Sequence, residues 1–107
     1  ILMANDTIGC VKEATRILGD KWTPQLLRYF VNEDTVRFCQ IQDLVEGINP
    51  RTLSARLDSL EKEGIIEKVT HPEKSRCEYR LTKKGQELTP ILRDMQAWSE
   101  RYEAVAA

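Results

Sequence analysis

The sequence predicts a mainly α fold with one small antiparallel β-hairpin, and three observations predict it. Apolar residues recur at helical spacing in four stretches before residue 64 and again along the last quarter of the chain. Between Ile65 and Leu81 the period changes from 3.6 to 2. Capping and turn residues punctuate each change. At 107 residues the chain is expected to be a single domain, large enough to bury a core but small for independent stability.

The first helix is expected over Thr7 to Leu18, where Ile8, Val11, Ala14, Ile17 and Leu18 share a face, Cys10 lies on or near it, and Gly19-Asp20 ends it. The second begins around Trp22-Thr23-Pro24 and turns Leu26, Leu27, Phe30 and Val31 inward; Thr23 and Asp20 are competing caps. After the polar break Asn32-Glu33-Asp34-Thr35, the stretch from Arg37 to Val45 places Phe38, Ile41 and Leu44 three apart, giving a third short helix that Glu46-Gly47 turns away. The helix that follows is the best punctuated. Asn49 caps it, Pro50 suits its first position, Gly64 supplies a left-handed stop, and Ile48 with Leu53 has the spacing of a hydrophobic staple.

Leu53, Leu57 and Leu60 form one narrow inward stripe on that helix. Arg51, Thr52, Ser54, Ala55, Asp58 and Ser59 point away from it, with Arg56 at the flank. Hydroxyl residues, a small Ala and arginines suit close approach to base edges and phosphates. A solvated surface helix would carry the same leucines, but two short helices joined by a Gly-containing turn, the second with a polar arginine-bearing face, form a helix-turn-helix.

Beyond Gly64, residues 65–70 and 77–81 read as strands joined by the polar loop His71 to Arg76. A hairpin directly after such a helix is a wing, whose tip residues Lys74 and Arg76 can reach phosphates; a solvated turn is the plainer alternative. Thr82 can cap the last helix, along which Leu88, Ile91, Leu92, Met95, Trp98 and Tyr102 form an apolar stripe. Pro90 either kinks this helix or marks a restart at Thr89. The divisions are thus N-terminal helices over 7–31, a helix-turn-helix over 37–63, a wing over 65–82 and a C-terminal helix over 83–103. The last stripe, together with Ile8, Val11 and Ile17, exceeds what so small a domain covers, so pairing with a second copy is expected through Ile8, Val11, Leu92, Met95, Trp98 and Tyr102; the plainer alternative is that both stripes are the core of a monomer.

A net charge of −1 offers no global attraction to nucleic acid, so the distribution decides. Residues 49–84 hold nine basic against six acidic side chains, whereas the flanking segments hold five against seven and two against four. The positive excess therefore coincides with the punctuated helix and the wing. No run of 18 apolar residues exists and no signal-peptide pattern opens the chain, so a soluble cytoplasmic protein is expected. Three scattered cysteines and one histidine do not make a metal site, and no Ser/His/Asp set, phosphate-binding glycine loop or carboxylate pair is present. Neither enzymatic activity nor a cofactor is expected. Cys39 faces outward on the third helix, and Cys77 alternates with Tyr79 and Leu81 on the inner face of a strand.

The chain resembles the HxlR-type winged helix-turn-helix regulators of bacteria and archaea. The residues carrying the resemblance run from Cys10 to Trp98: Leu18-Gly19-Asp20-Lys21-Trp22-Thr23, Arg37-Phe38 with Ile41, the run from Ile48 to Leu57, Leu60 to Ile66, Glu78 to Gly85, then Pro90 and Trp98. It departs from the family at Asn32 to Val36, where a Gly is common, and at Asn49, where Ser is frequent and either residue caps. The resemblance implies a homodimer that binds a pseudo-palindromic operator and regulates transcription, with the first and last helices forming the dimer contact. Candidate DNA contacts are Asn49, Arg51, Thr52, Ser54, Ala55, Arg56 and Ser59 on the helix and Lys74 and Arg76 on the wing. Some relatives use the cysteine at the position of Cys10 to sense oxidants or electrophiles; plain packing beside Ala14 and Ile17 is the alternative. The rival function is a winged-helix module that binds another protein, its basic face incidental.

Overall fold

The computed structural model describes residues 8–70 and 77–106. In chain order these form α1 (Lys12–Leu18), α2 (Thr23–Leu27) running into a 3-10 turn (Arg28–Phe30), β1 (Val36–Arg37), α3 (Phe38–Leu44), α4 (Pro50–Lys62), β2 (Ile66–Thr70), β3 (Cys77–Leu81), α5 (Lys83–Gln86) and α6 (Thr89–Ala106). One core joins them. Leu26, Leu27, Phe30, Ile41, Val45, Leu53, Leu57, Leu60, Ile65 and Ile66 are buried together, with Ile17, Val36, Ile48, Tyr79 and Leu92 around them. Burying each such apolar side chain stabilises the fold by about 1.5–3 kcal/mol.

α4 forms as its punctuation predicts. Asn49 Oδ1 accepts the Thr52 N–H at 2.8 Å, and Pro50 opens the helix. Gly64 adopts φ +77°, which only glycine takes without strain, and lets Ile65 N–H reach the Leu60 carbonyl at 2.9 Å. Ile48 and Leu53 are both buried, as a staple requires, and the Leu53, Leu57 and Leu60 stripe faces inward.

Elsewhere the structure corrects the sequence reading. α1 starts at Lys12, not Thr7: Val11 at its cap offers no side-chain oxygen, and Gly9 disfavours helix before it. Ile17 is buried in the core instead of exposed for a partner. Asp20 is the side chain that caps α2, its Oδ1 accepting the N–H groups of Trp22 and Thr23, each at 2.8 Å, and Pro24 falls second in the helix. Leu44 at the end of α3 is 50% exposed, while Val45, which follows the helix, is buried. Steps of three residues lag the helical turn by about 60° each, so a third apolar residue at that spacing has rotated off the face.

The hairpin is part of a three-stranded antiparallel sheet in the order β1-β3-β2. Val36 pairs Tyr79 and Arg37 pairs Glu78, while β2 and β3 run in register from Ile66↔Leu81 to Thr70↔Cys77. β1 escaped the sequence reading because two residues show no period. The last helix is two pieces. Thr82 caps the four-residue α5, its Oγ1 accepting the Gly85 N–H at 3.1 Å, and α6 restarts at Thr89 with Pro90 second, where a missing N–H costs nothing. Thr82 also ties this end to the α4 stop, donating its N–H to the Ile65 carbonyl at 3.0 Å and its hydroxyl to the Gly64 carbonyl. Among the described residues, no helix is long and apolar enough to cross a membrane.

Candidate nucleic-acid interface

α3 and α4 are joined by Val45 to Asn49, where Gly47 at φ +85° makes the turn. With the leucines of α4 buried, its opposite side is left to solvent. Asn49, Arg51, Ser54, Ala55 and Asp58 are exposed, and Thr52, Arg56 and Ser59 are half-buried. The structure thus collects the helix residues singled out from sequence on one side of one 13-residue helix, about 20 Å long. Lys74 and Arg76 lie outside the described residues, as do His71 and the Cys77 side chain.

The two arginines differ in their surroundings. Arg51 is exposed and has no ion-pair partner among the described residues. Arg56 NH1 lies 3.6 Å from Asp20 Oδ2, with both side chains about a third exposed. Sequence reading did not single out Asp20 or Arg16 for this site, yet Arg16 ion-pairs with both Glu13 and Glu63, the last of these at the end of α4. The available signal was their spacing, four residues apart on one side and seven apart for Arg56 and Glu63. Beside them Lys21 Nζ sits 4.6 Å from the centre of the Trp22 ring.

Burial pushes the Asp20 carboxyl up, but hydrogen bonds from the Thr23 hydroxyl, the Thr23 and Trp22 N–H groups and the charge of Arg56 outweigh it and hold the group below the usual aspartate range. A carboxyl whose pKa is lower folded than unfolded stabilises the fold above the unfolded value of about 3.9, and that stability is lost as pH falls through the folded value. Asp20→Asn is therefore expected to lower Tm at pH 7 and by the same amount at pH 5, with the gap from wild type closing on acidification below about pH 4. Thermal melts across that range measure it, and a gap that persists at the acid end would detach the effect from this carboxylate.

Cys10 precedes α1 and is an exposed free thiol; because the helix starts after it, Cys10 does not share a packed face with Ala14 and Ile17. Cys39 on α3 is also exposed and free. On α6, Met95 (42%), Trp98 (59%) and Tyr102 (55%) are exposed with Ile91, and the Trp98 and Tyr102 rings contact each other at a tilt of 39°, their centres 4.9 Å apart. Ile8 and Val11 are exposed as well. Leu92 is not on that surface: at 9% exposure it belongs to the core of its own chain, which removes it from the expected partner contacts.

A leucine-backed helix with a polar, arginine-bearing outer side, set after a tight turn and followed by a hairpin, defines a winged helix-turn-helix transcriptional regulator. The chain belongs to the HxlR-like helix-turn-helix family, whose model matches residues 17–106. It is 34% identical over 101 residues to the HTH-type transcriptional regulator YdeP of Bacillus subtilis (strain 168), covering 92% of this chain and 78% of that one. It is 30% identical over 101 residues to the HTH-type transcriptional regulator YodB of the same organism, covering 94% and 89%. Among solved structures, the redox regulator HypR in its reduced form superposes with a TM-score of 0.81 at 29% identity, over 90% of this chain and 95% of that one. The reduced form of YodB from B. subtilis superposes with a TM-score of 0.75 at 30% identity, over 89% and 95%.

Proposed function

We propose that this regulator binds a pseudo-palindromic DNA operator as a homodimer in the cytoplasm, as one winged helix-turn-helix domain per subunit. Each α4 enters a major groove, the two about 34 Å apart, while each wing lies on the flanking backbone through Lys74 and Arg76. The observation that carries this reading is the outer side of α4: small and hydroxyl side chains with an exposed Arg51 that has no ion-pair partner among the described residues, directly opposite the buried leucines. Arg51 reads a base edge, Arg56 meets phosphate, and Asn49, Thr52, Ser54, Ala55 and Ser59 shape the fit. Ile8, Val11, Met95, Trp98 and Tyr102 supply the contact between subunits, which their exposure supports.

Arg51→Ala is expected to cost about 1–3 kcal/mol on the specific site and much less on random DNA. Titration of both duplexes measures it; equal losses on the two would remove Arg51 from base readout.

Redox control through Cys10 is part of the proposal, supported by the exposed thiol and by the likeness to HypR, which is named as a redox regulator. The deciding experiment is binding to the intergenic DNA upstream of the protein's own gene, at two salt concentrations, in reductant and after diamide. Binding that weakens with salt shows phosphate contacts. Loss of binding on oxidation, spared by Cys10→Ser, establishes the thiol control. Binding indifferent to diamide removes that control, and absence of binding in every state favours a module that docks on another protein.

A further inference from the structure

We infer that Arg16 and Asp20 are positioning residues for α4: they form a two-point clasp of alternating charge that sets where the DNA-reading helix stands on the domain, and hence which bases it reads. The inference rests on the DNA-binding reading above. Arg16, near the end of α1, pairs with Glu63 just past the end of α4, and Asp20, four residues on, pairs with Arg56 at 3.6 Å. Arg56 and Glu63 are seven residues apart, two turns along one side of α4, so the two contacts hold the helix at points about 10 Å apart. The buried leucines hold the inner side of α4, and a single ion pair adds little to its orientation. Two pairs of opposite polarity add more: turning α4 breaks both, and sliding it by two turns sets Glu63 against Asp20.

Each anchor is itself held. Asp20 is fixed by capping α2, with Oδ1 on the Trp22 and Thr23 N–H groups. Arg16 is braced by Glu13, and the Glu63 carbonyl accepts Lys84 Nζ at 2.9 Å. The clasp therefore ties α4 to α1, to the start of α2 and to α5. Surface ion pairs contribute little to stability, so the consequence of this arrangement is to be sought in geometry. The side of α4 bearing Arg56 adjoins the exposed side bearing Arg51 and Ser59, so a change of pose displaces the candidate base contacts directly.

The test uses a duplex selected from a random-sequence library by the wild-type protein, and an unselected duplex of equal length. Asp20→Asn keeps the Oδ1 acceptor of the α2 cap but removes a negative charge; Arg16→Gln removes a positive one. If charge alone mattered, the two variants would shift affinity for both duplexes in opposite directions and leave the ratio of selected to unselected affinity unchanged. The clasp requires the ratio to fall in both, by about tenfold, the scale of a lost base contact. With Glu13→Gln present in every protein compared, so that Glu13 does not repel the new carboxylate, the charge swap Arg16→Glu/Glu63→Arg is expected to recover the ratio that Arg16→Glu alone loses. Far-ultraviolet circular dichroism and thermal melts establish that the variants compared are folded. An unchanged ratio in either single variant, or a swap no better than Arg16→Glu, overturns the inference while wild-type discrimination leaves the DNA reading standing. A wild type that selects no duplex overturns both.

Discussion

Trp98→Asp is expected to leave the protein monomeric at micromolar concentration and to lower affinity for a two-half-site operator by about 100-fold or more. Ile91, Met95, Trp98 and Tyr102 follow one side of α6 at helical spacing, and all four are exposed in the single chain. A Trp alone buries about 150–250 Å² when covered, and at about 25 cal/mol per Å² its burial with a neighbouring Tyr represents several kcal/mol of association energy. A carboxylate at the same place would have to be desolvated without a partner, so the pairing is opposed as well as weakened. Once the subunits separate, the second half-site no longer binds intramolecularly, and the operator loses the gain that two linked contacts provide. Sedimentation at several concentrations and titration of half-site and full-site duplexes measure the two effects. Half-site affinity is expected to be unchanged, because Trp98 is exposed in the single chain and its replacement alters no residue of α4. A Trp98→Asp protein that remains dimeric with full operator affinity would rule out this side of α6 as the subunit contact.

Gly85→Ala is expected to destabilise the fold by about 3 kcal/mol, the upper part of the range for overpacking, and to lower Tm by about 15 °C. A Cβ at position 85 would stand 2.1 Å from the Ile65 carbonyl oxygen and 3.0 Å from Leu81 Cδ2. The first of these is backbone, and it cannot step aside: the same carbonyl accepts the Thr82 N–H at 3.0 Å. Moving α5 outward to admit the methyl group would break the junction by which Thr82 holds the end of α4 beside the start of α5. Gly64→Ala is a useful contrast, since a Cβ there meets nothing within 4 Å and the cost arises only from φ +77°. It is expected to be the smaller of the two, about 1 kcal/mol. Chemical denaturation of both variants tests the order. Equal stability of Gly85→Ala and wild type would show that α5 is free to shift.

The legible parts of the fold were those written in local chemistry. Asn49, Pro50 and Gly64 mark α4 because caps, proline and left-handed glycine act on the backbone within a few residues, and the leucines at 53, 57 and 60 mark its inner side because burial follows the helical period. The alternation over β2 and β3 is legible for the same reason. The start of α1 was misplaced because its apolar period runs on through Ile8, whereas Gly9 and an uncapped Val11 end the helix sooner. Leu44 is exposed where the period predicts burial because a spacing of three approximates a helical side only over short distances.

By itself the sequence determined the helix-turn-helix with its wing, the outward residues of α4, the restart at Pro90 as one of two outcomes, and the family. Each follows from neighbours along the chain or from order and spacing. Only the tertiary structure decided that β1 joins the sheet, that Ile17 and Leu92 are core, that Cys10 is exposed, and that Arg56 faces Asp20 while Arg16 faces Glu63. The strand pairing and the two ion pairs depend on which surfaces meet across 36 to 47 residues of chain, and a charged side chain looks the same in sequence whether it meets water, DNA or a partner brought to it by folding.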